Sequence, residues 1–359
     1  MPSPTHLALL VGGPGLVLAT LTDAIGTLVA ARGLTGRWRP SRQFYRITWR
    51  LWRAAGSRLR RHREGFLSAY APLTLLVLLS MWLIGLLVGW AMVYQAGAAS
   101  LGGETGFGSL LYYSGTCLFT LGFGDILPQT TPLRIAALAE AATGLATMAL
   151  AISYLPVLYA AYGRRESQLL TLDDPSGERI QPTSLIRIWA PNGDTDRLYR
   201  FFGDWERWTA DILESHVSYP MLALFRSQHR GQSWVTALGV VLDAAVVTCA
   251  VVPGAELREP YFMYRRGRRA LYEIGRRLPR TGTAEAPLQR FQFDVAYERL
   301  QAIGLPLRDP DDAWERLIDY RSTYGTSLQT LIDYLLAPAG FWGHSAEDAD
   351  SEGYLERDA

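Results

Sequence analysis

Residues 116–125 read Thr-Cys-Leu-Phe-Thr-Leu-Gly-Phe-Gly-Asp, and the interpretation of the whole chain starts from this stretch. Gly122 and Gly124 alternate with the large side chains of Leu121 and Phe123. Because glycine tolerates positive φ angles, an alternating backbone here can aim successive carbonyl oxygens the same way. A row of such oxygens, with the Thr120 hydroxyl at its inner end, can replace the water shell of a dehydrated monovalent cation.

The sequence on both sides of this stretch has the pattern of a membrane module. Residues 71–94 contain no charge, and at ~1.5 Å per residue they are long enough to span ~30 Å of hydrocarbon. Residues 107–119 are apolar but too short to span, as expected for a re-entrant helix that ends at the glycines. Residues 135–162 carry one charge, Glu140, and predict a further spanning helix.

This order of elements, together with the glycine stretch, resembles the potassium channel family, whose selectivity filter usually has Thr-Val-Gly-Tyr-Gly-Asp. The resemblance implies an all-α membrane protein with a potassium-channel-like pore module at 67–163 and a mainly α-helical cytoplasmic domain. One pore loop supplies a quarter of a carbonyl ring, so a homotetramer is expected. Permeant K⁺ ions are expected in the filter, with no other cofactor or metal. The implied ion-binding residues are Thr120, Leu121, Gly122, Phe123 and Gly124.

The residues behind the implied filter differ from the family pattern. Phe123 lacks the hydroxyl with which the family's tyrosine bonds pore-helix aromatics, so bracing by packing is expected. Three functions therefore stay open: a potassium-selective channel, a non-selective monovalent cation channel, and a non-conducting membrane sensor or scaffold. The implied supporting residues are Asp125, Thr116, Cys117, Tyr112 and Tyr113.

The inner helix contains two candidate gating positions. Gly144 stands where inner helices of the family often bend, so it is interpreted as a gating hinge or as a close packing contact. Pro156 removes a helical hydrogen bond and can kink the inner end of the helix. Leu145, Met148 and Ile152 share one face by helical spacing and either line the cavity or contact lipid or the core.

The region before the pore module divides into an apolar and a basic part. Residues 7–31 predict a transmembrane helix within an N-terminal segment 1–31, because no basic residue precedes them as a secretory signal requires. Asp23 within it is interpreted as an interfacial acid that answers the following arginines, or as a residue facing a partner. Residues 32–66 predict a basic amphipathic segment that contacts anionic lipid. Its arginines at helical spacing are Arg42, Arg46, Arg50 and Arg53.

Charge distribution predicts the orientation of the chain and excludes some partners. Eleven arginines lie in residues 32–64, so this segment should be cytoplasmic. The N-terminus is then outside and the C-terminal domain inside a bacterial inner (plasma) membrane. A voltage-sensing helix would need a surrounding bundle of spanning helices, and tryptophans between two apolar runs argue against nucleic-acid binding. No catalytic constellation is visible, so an enzyme is not expected.

The remaining chain is predicted to be a linker at 164–196, a helical domain at 197–337 and an acidic disordered tail at 338–359. Within the linker, residues 184–190 predict one short strand. Within the helical domain, residues 312–336 predict one helix. Residues 234–252 are apolar apart from Asp243, but arginines on both sides favour a buried core helix over a further span. His216 and His229 either sense pH or bind metal, or are ordinary packing residues, which is the favoured interpretation.

Overall fold

A computed structural model describes residues 4–28, 40–59, 63–172, 181–227, 233–276, 278 and 288–338. His229 and almost all of the predicted acidic tail lie outside the described residues. The chain divides into two compact units, residues 1–160 and residues 161–359. The structure confirms the predicted all-α class, since helices form nearly all of the regular structure in both units.

Within the described residues, the first unit contains five helices and most of a sixth. Its helices are α1 (Pro4–Leu28), α2 (Pro40–Gly56), α3 (Arg63–Ser68), α4 (Tyr70–Ala96), α5 (Phe107–Leu118) and α6 (Thr131–Leu169). Two short strands, β1 (Leu101–Gly102) and β2 (Leu127–Pro128), pair antiparallel on either side of α5. The pairing joins the segment before α5 to the segment after the glycine stretch, so both ends of this re-entrant section are tied together.

Helix α1 packs closely against α4 through small residues. A Cβ atom at Gly13 would lie 2.9 Å from the carbonyl oxygen of Gly89, and one at Gly89 would lie 2.8 Å from the Val17 side chain. Only glycine permits this approach, which is the usual way that apolar helices associate in a membrane. Pro14 lies in the first half of α1 and does not end the helix.

Asp23 of α1 is buried, and its position corrects the interpretation of this residue as an interfacial acid. Its carboxylate accepts hydrogen bonds from the Ser41 hydroxyl at 2.8 Å and from the Trp82 indole at 2.8 Å. Ser41 belongs to α2 and Trp82 to α4, so the acid joins three helices. Asp23 therefore faces partners within the unit, because a buried carboxylate needs donors more than it needs proximity to surface arginines.

Helix α2 packs against α4 through aromatic side chains, and most of its arginines are exposed. Trp49 is buried against Tyr70, with ring centroids 4.8 Å apart. Ile47 and Leu51 are exposed, as are three of the four arginines at helical spacing, whereas the fourth is half-buried. Exposed arginines beside exposed apolar side chains are typical of an interfacial helix. The arginines, in chain order, are Arg42, Arg46, Arg50 and Arg53.

The second unit begins with the last turns of α6 and packs helices around α9. The helices that follow α6 are α7 (Pro182–Trp189), α8 (Thr195–Ser218), α9 (Trp234–Val251), α10 (Glu259–Gly275), α11 (Arg290–Gln301), α12 (Pro310–Ser322) and α13 (Gly325–Leu335). By length and composition alone, α9 is one of four described helices that could cross a membrane. Nevertheless 94% of it is buried inside the unit, as expected for a core helix.

Two secondary-structure predictions in this unit are wrong. The segment predicted as a strand at 184–190 belongs to α7, because Pro182 suits a first helical turn and Leu185 and Ile186 bury a helical face. The segment predicted as one helix at 312–336 is divided into α12 and α13. The break lies next to Tyr324, whose buried side chain donates a hydrogen bond to Asp243 of α9. In α7 the signal of Pro182 outweighs the apolar run, whereas at Tyr324 a tertiary contact overrides the local helical pattern.

Candidate functional site

The backbone after α5 alternates between conformations of opposite φ sign. Thr120 has φ 58°, Gly122 has φ 58° and Gly124 has φ 80°, and Leu121 and Phe123 stand between them. Glycine adopts this region without steric cost, which explains the two glycines. Thr120 adopts it although its side chain is β-branched, and backbone strain of this kind is concentrated at functional sites.

Hydrogen bonds to the end of α5 determine which way this backbone faces. The amides of Leu121 and Gly122 both donate to the Thr116 carbonyl, at 2.8 and 3.3 Å. A planar trans peptide directs its carbonyl opposite to its N–H, so the carbonyls of Thr120 and Leu121 point away from α5. The C-terminal end of α5 carries the negative end of the helix dipole, which favours a cation near this segment.

One of the two tyrosines predicted to brace a filter contacts the glycine stretch. The Tyr112 ring stacks on the Phe123 ring, with centroids 6.4 Å apart and planes inclined by 3°. The Tyr112 hydroxyl also interacts with the Asp125 carboxylate. Tyr113 instead packs edge-on against Tyr94 of α4, at 4.8 Å between centroids. The structure therefore brings Tyr112, Phe123 and Asp125 together and places Tyr113 behind α5.

Thr116 and Cys117 have different positions relative to this segment. The Thr116 carbonyl holds the amides described above, and its hydroxyl donates to the Tyr113 carbonyl at 2.8 Å. The Cys117 side chain is half-buried beside Tyr113 and Tyr94. Thr116 thus supports the glycine stretch directly, whereas Cys117 contributes to the packing between α5 and α4.

Glu140 of α6 belongs to this site, although sequence interpretation gave it no role. Its carboxyl group is fully buried, and Tyr94 of α4 donates to Oε2 at 2.6 Å. The Ser114 hydroxyl of α5 lies 2.5 Å from Oε1 and 2.9 Å from the Leu87 carbonyl. The signal that could have identified Glu140 was its charge within an otherwise apolar span, since such residues are costly in a membrane.

Helix α6 contacts α5 at Gly144 and remains helical through both candidate gating positions. A Cβ atom at Gly144 would lie 2.1 Å from the Leu118 carbonyl oxygen, so glycine is required here for close packing. Pro156 lies inside the same helix without ending it. The three cavity candidates turn away from the core of their own chain, with two exposed and the middle one half-buried. They are Leu145, Met148 and Ile152.

The last turns of α6 are held within the second unit. The buried Arg165 guanidinium donates to the carbonyls of Leu222 and Phe225 at 2.9 and 2.8 Å, and it pairs with Glu166 at 2.9 Å. These carbonyls belong to a turn that follows α8. A buried guanidinium with several partners is costly to disturb, because each bond lost leaves a desolvated group.

His216 of α8 is buried near this network. Its Nδ1 atom lies 2.9 Å from the Ile212 carbonyl, and its ring packs against Trp234 at 4.6 Å. Burial, with the nearby Arg165 charge as a second cause, lowers the pKa of His216 from 6.5 to about 3. The imidazole is therefore neutral at physiological pH, as expected for a packing residue.

Known sequences match part of this chain. A model of an ion-channel family matches residues 74–159, from within α4 to within α6. An uncharacterized membrane protein of Bacillus subtilis (strain 168), YdjJ, is 24% identical over 190 residues, which cover 50% of this chain and 54% of that protein. The chain thus spans about half the length of this curated relative. No solved structure matches the chain. The protein is therefore a multi-pass membrane protein that carries an ion-channel domain.

Proposed function

We propose that this protein is a potassium-selective channel and that four copies form its pore. The observation that carries the proposal is the positive φ at every second residue, at Thr120, Gly122 and Gly124. The amides of Leu121 and Gly122 within this stretch donate to the Thr116 carbonyl. This backbone directs carbonyl oxygens away from α5, and oxygens in such a row can coordinate a dehydrated K⁺ ion. Leu121 and Phe123 complete the filter, and K⁺ is the permeant ion.

Four copies account for the exposure of the filter in a single chain. Leu121 is 59% exposed and Phe123 is 66% exposed, although both lie in the middle of the pore module. The filter segment and the face of α6 with Leu145 and Ile152 would meet their symmetry mates around a central axis. In this arrangement the N-terminus is outside, and the arginines of α2 and the second unit are cytoplasmic. The arginines of α2 would contact anionic lipid headgroups.

The test is a measurement of reversal potentials for the purified protein in liposomes with opposing K⁺ and Na⁺ gradients. A potassium-selective pore gives a potential close to the K⁺ equilibrium value, whereas equal permeability of the two ions rejects the selective version. Gly122→Ala should abolish the current, because alanine resists a φ of 58°. Gly15→Ala is the matched control, since Gly15 also has open space around it but lies in α1.

A non-selective monovalent cation channel is the second candidate. Phe123 favours it, because a phenylalanine ring stacked on Tyr112 holds the filter by packing without a hydroxyl bond. A filter held in this way is less rigid, and where selectivity comes from a cavity that fits K⁺, looser oxygens admit Na⁺ as well. The same reversal potentials distinguish the two candidates. A tetrameric protein without any cation flux would instead indicate a sensor or scaffold.

Gating is proposed to act through the Arg165 network at the end of α6. Because α6 is continuous from Thr131 to Leu169, displacement of its last turns is transmitted along the helix past Pro156. Arg165→Gln should change open probability several-fold and leave the permeability ratio unchanged. Arg164→Gln is the matched control, because the Arg164 side chain is exposed and pairs with Asp211 at the surface. Equal open probability in both variants would reject this mechanism.

A further inference from the structure

Glu140 occupies the point where the three helices of the pore module meet. Among the described residues of α6 that belong to the first unit, Glu140 is the one acidic residue, and its side chain has no exposed surface. Its two oxygens are approached by a hydroxyl from α4 and a hydroxyl from α5. The α5 hydroxyl, from Ser114, also approaches a backbone carbonyl of α4, that of Leu87. Four polar groups therefore form one chain of contacts from Tyr94 through Glu140 and Ser114 to Leu87.

The number of protons in this chain of contacts determines the form of the carboxyl group. Tyr94 has one hydroxyl proton and donates it to Oε2. Ser114 also has one proton but lies within hydrogen-bonding distance of two acceptors, Oε1 and the Leu87 carbonyl. A hydroxyl donates once and accepts as well. All three close contacts are hydrogen bonds only if Oε1 carries a proton and donates it to Ser114, which then donates to Leu87.

The ionised form would leave this arrangement incomplete. A carboxylate at Oε1 would take the Ser114 proton, and the contact of Ser114 with Leu87 would no longer be a hydrogen bond. The described ionisable groups facing Glu140 are Tyr94 of α4 and Tyr113 and Cys117 of α5, none of which is a cation. A buried charge without a cationic partner is costly, whereas a protonated carboxyl group that makes two hydrogen bonds is not.

We infer that Glu140 is a positioning residue that carries a proton and, through Ser114, fixes α5 between α6 and α4. Ser114 stands two positions before Thr116, whose carbonyl binds the amides of Leu121 and Gly122. Glu140 stands one turn before Gly144, whose backbone touches the Leu118 carbonyl. Displacement of α5 at Ser114 would therefore displace the filter. This effect on ion selection rests on the proposed function, but the protonated state does not.

The test of position uses two substitutions of Glu140 in the full-length tetramer in liposomes. Gln can replace the protonated acid, because its carbonyl accepts from Tyr94 and its amide donates to Ser114. Glu140→Gln should keep the K⁺/Na⁺ permeability ratio within ~2-fold of wild type. Glu140→Ala and Ser114→Ala should each lower it by ~10-fold, as expected when a buried partner is left unsatisfied. If Glu140→Gln is as defective as Glu140→Ala, or if neither Ala variant has an effect, the inference is overturned.

The test of protonation does not depend on conduction. The infrared spectrum of the wild-type protein at neutral pH should contain a carboxylic-acid C=O band that is absent in Glu140→Gln. The same band should shift in Ser114→Ala, because its hydrogen-bond acceptor is removed. If the carboxylic-acid C=O region of the spectrum is the same in wild type and Glu140→Gln, Glu140 is ionised and the inference is overturned. A silent wild-type channel that retains this band would instead reject only the proposed function.

Discussion

Helices α4 and α9 are both apolar enough to cross a membrane, but their surroundings differ. One third of the α4 span (33%) is buried inside its unit, whereas 94% of α9 is buried. Exposed Leu73, Leu76 and Ile84 on α4 are available to lipid, whereas α9 is covered by its neighbours in the second unit. High hydropathy shows that a helix is unfavourable in water. It does not show whether the helix is buried in lipid or in a protein core.

The buried acids of the two units, Glu140 and Asp243, also differ in their surroundings. Glu140, in the membrane unit, is bonded by hydroxyl groups. Asp243, on α9, is equally buried but lies 2.8 Å from the Arg321 guanidinium and accepts a bond from Tyr324. A core built in water can bring a cation from a surface helix to a buried acid. A helix surrounded by lipid lacks that source of cations, and its acid is best stabilised in the neutral form.

The largest expected effect concerns access from the lipid phase. Single cysteines at Leu76 on α4 and at Val246 on α9 should differ almost completely in their reaction with a membrane-soluble thiol reagent. Leu76 is 62% exposed, whereas Val246 is fully buried in the second unit. The measurement is the fraction labelled in native membranes, with Cys117 and Cys249 replaced by serine in both proteins. Comparable labelling of the two sites would place α9 in the membrane.

The next largest effect concerns the ion pair of α9. Arg321→Leu should lower the free energy of unfolding by about 3–5 kcal/mol, because it leaves the Asp243 carboxylate buried without a guanidinium. Arg316→Leu is the matched control on the same helix, since its pair with Asp312 is exposed to solvent and should contribute much less to stability. Denaturant unfolding of the full-length protein, followed by tryptophan fluorescence, measures both. An equal decrease in the free energy of unfolding in the two variants would show that the buried ion pair contributes no more than the exposed one.

A smaller effect distinguishes packing from hinge bending at Gly144. Gly144→Ala should destabilise the contact between α5 and α6 by about 1–3 kcal/mol, because the added methyl group meets a backbone carbonyl that cannot move aside. Conductance and K⁺/Na⁺ selectivity should fall together. Gly163→Ala, on the same helix with open space around it, should have neither effect. A change in open probability alone, with conductance intact, would favour the hinge.

The smallest effect is the pH dependence contributed by His216. Its pKa is about 3 in the folded protein and 6.5 in the unfolded chain, so only the unfolded chain binds this proton between those values. Stability is therefore complete above pH 6.5 and falls as the pH decreases toward 3, by about 2 kcal/mol at pH 5. His216→Phe should remove this slope. The measurement is thermal unfolding of both proteins between pH 7 and 5. If the stability difference between wild type and His216→Phe is the same at both pH values, the pKa of His216 is not lowered and the prediction is wrong.

The helices around the glycine stretch could be predicted from sequence because their signals are local. An uncharged apolar run, a short apolar segment and alternating glycines each lie within a few turns of chain, and α4, α5 and α6 begin and end close to the predicted limits. The ligands of Asp23 could not be predicted, because Trp82 is 59 positions away. Nor could the role of Glu140, whose partners lie on two other helices. The strand prediction at α7 missed the signal of Pro182, and the prediction of one helix over α12 and α13 was wrong because the contact of Tyr324 with Asp243 overrides local preference.

The bonds of Asp23 also have a consequence for biosynthesis. When α1 has just been synthesised, the Asp23 carboxylate has neither of the donors that it has in the finished protein, because Ser41 and Trp82 lie later in the chain. An acidic residue without hydrogen-bond donors makes the insertion of an apolar segment into the bilayer less favourable. We therefore expect α1 to be retained at the translocation machinery until α4 has been synthesised, so that the two helices enter the lipid as a pair.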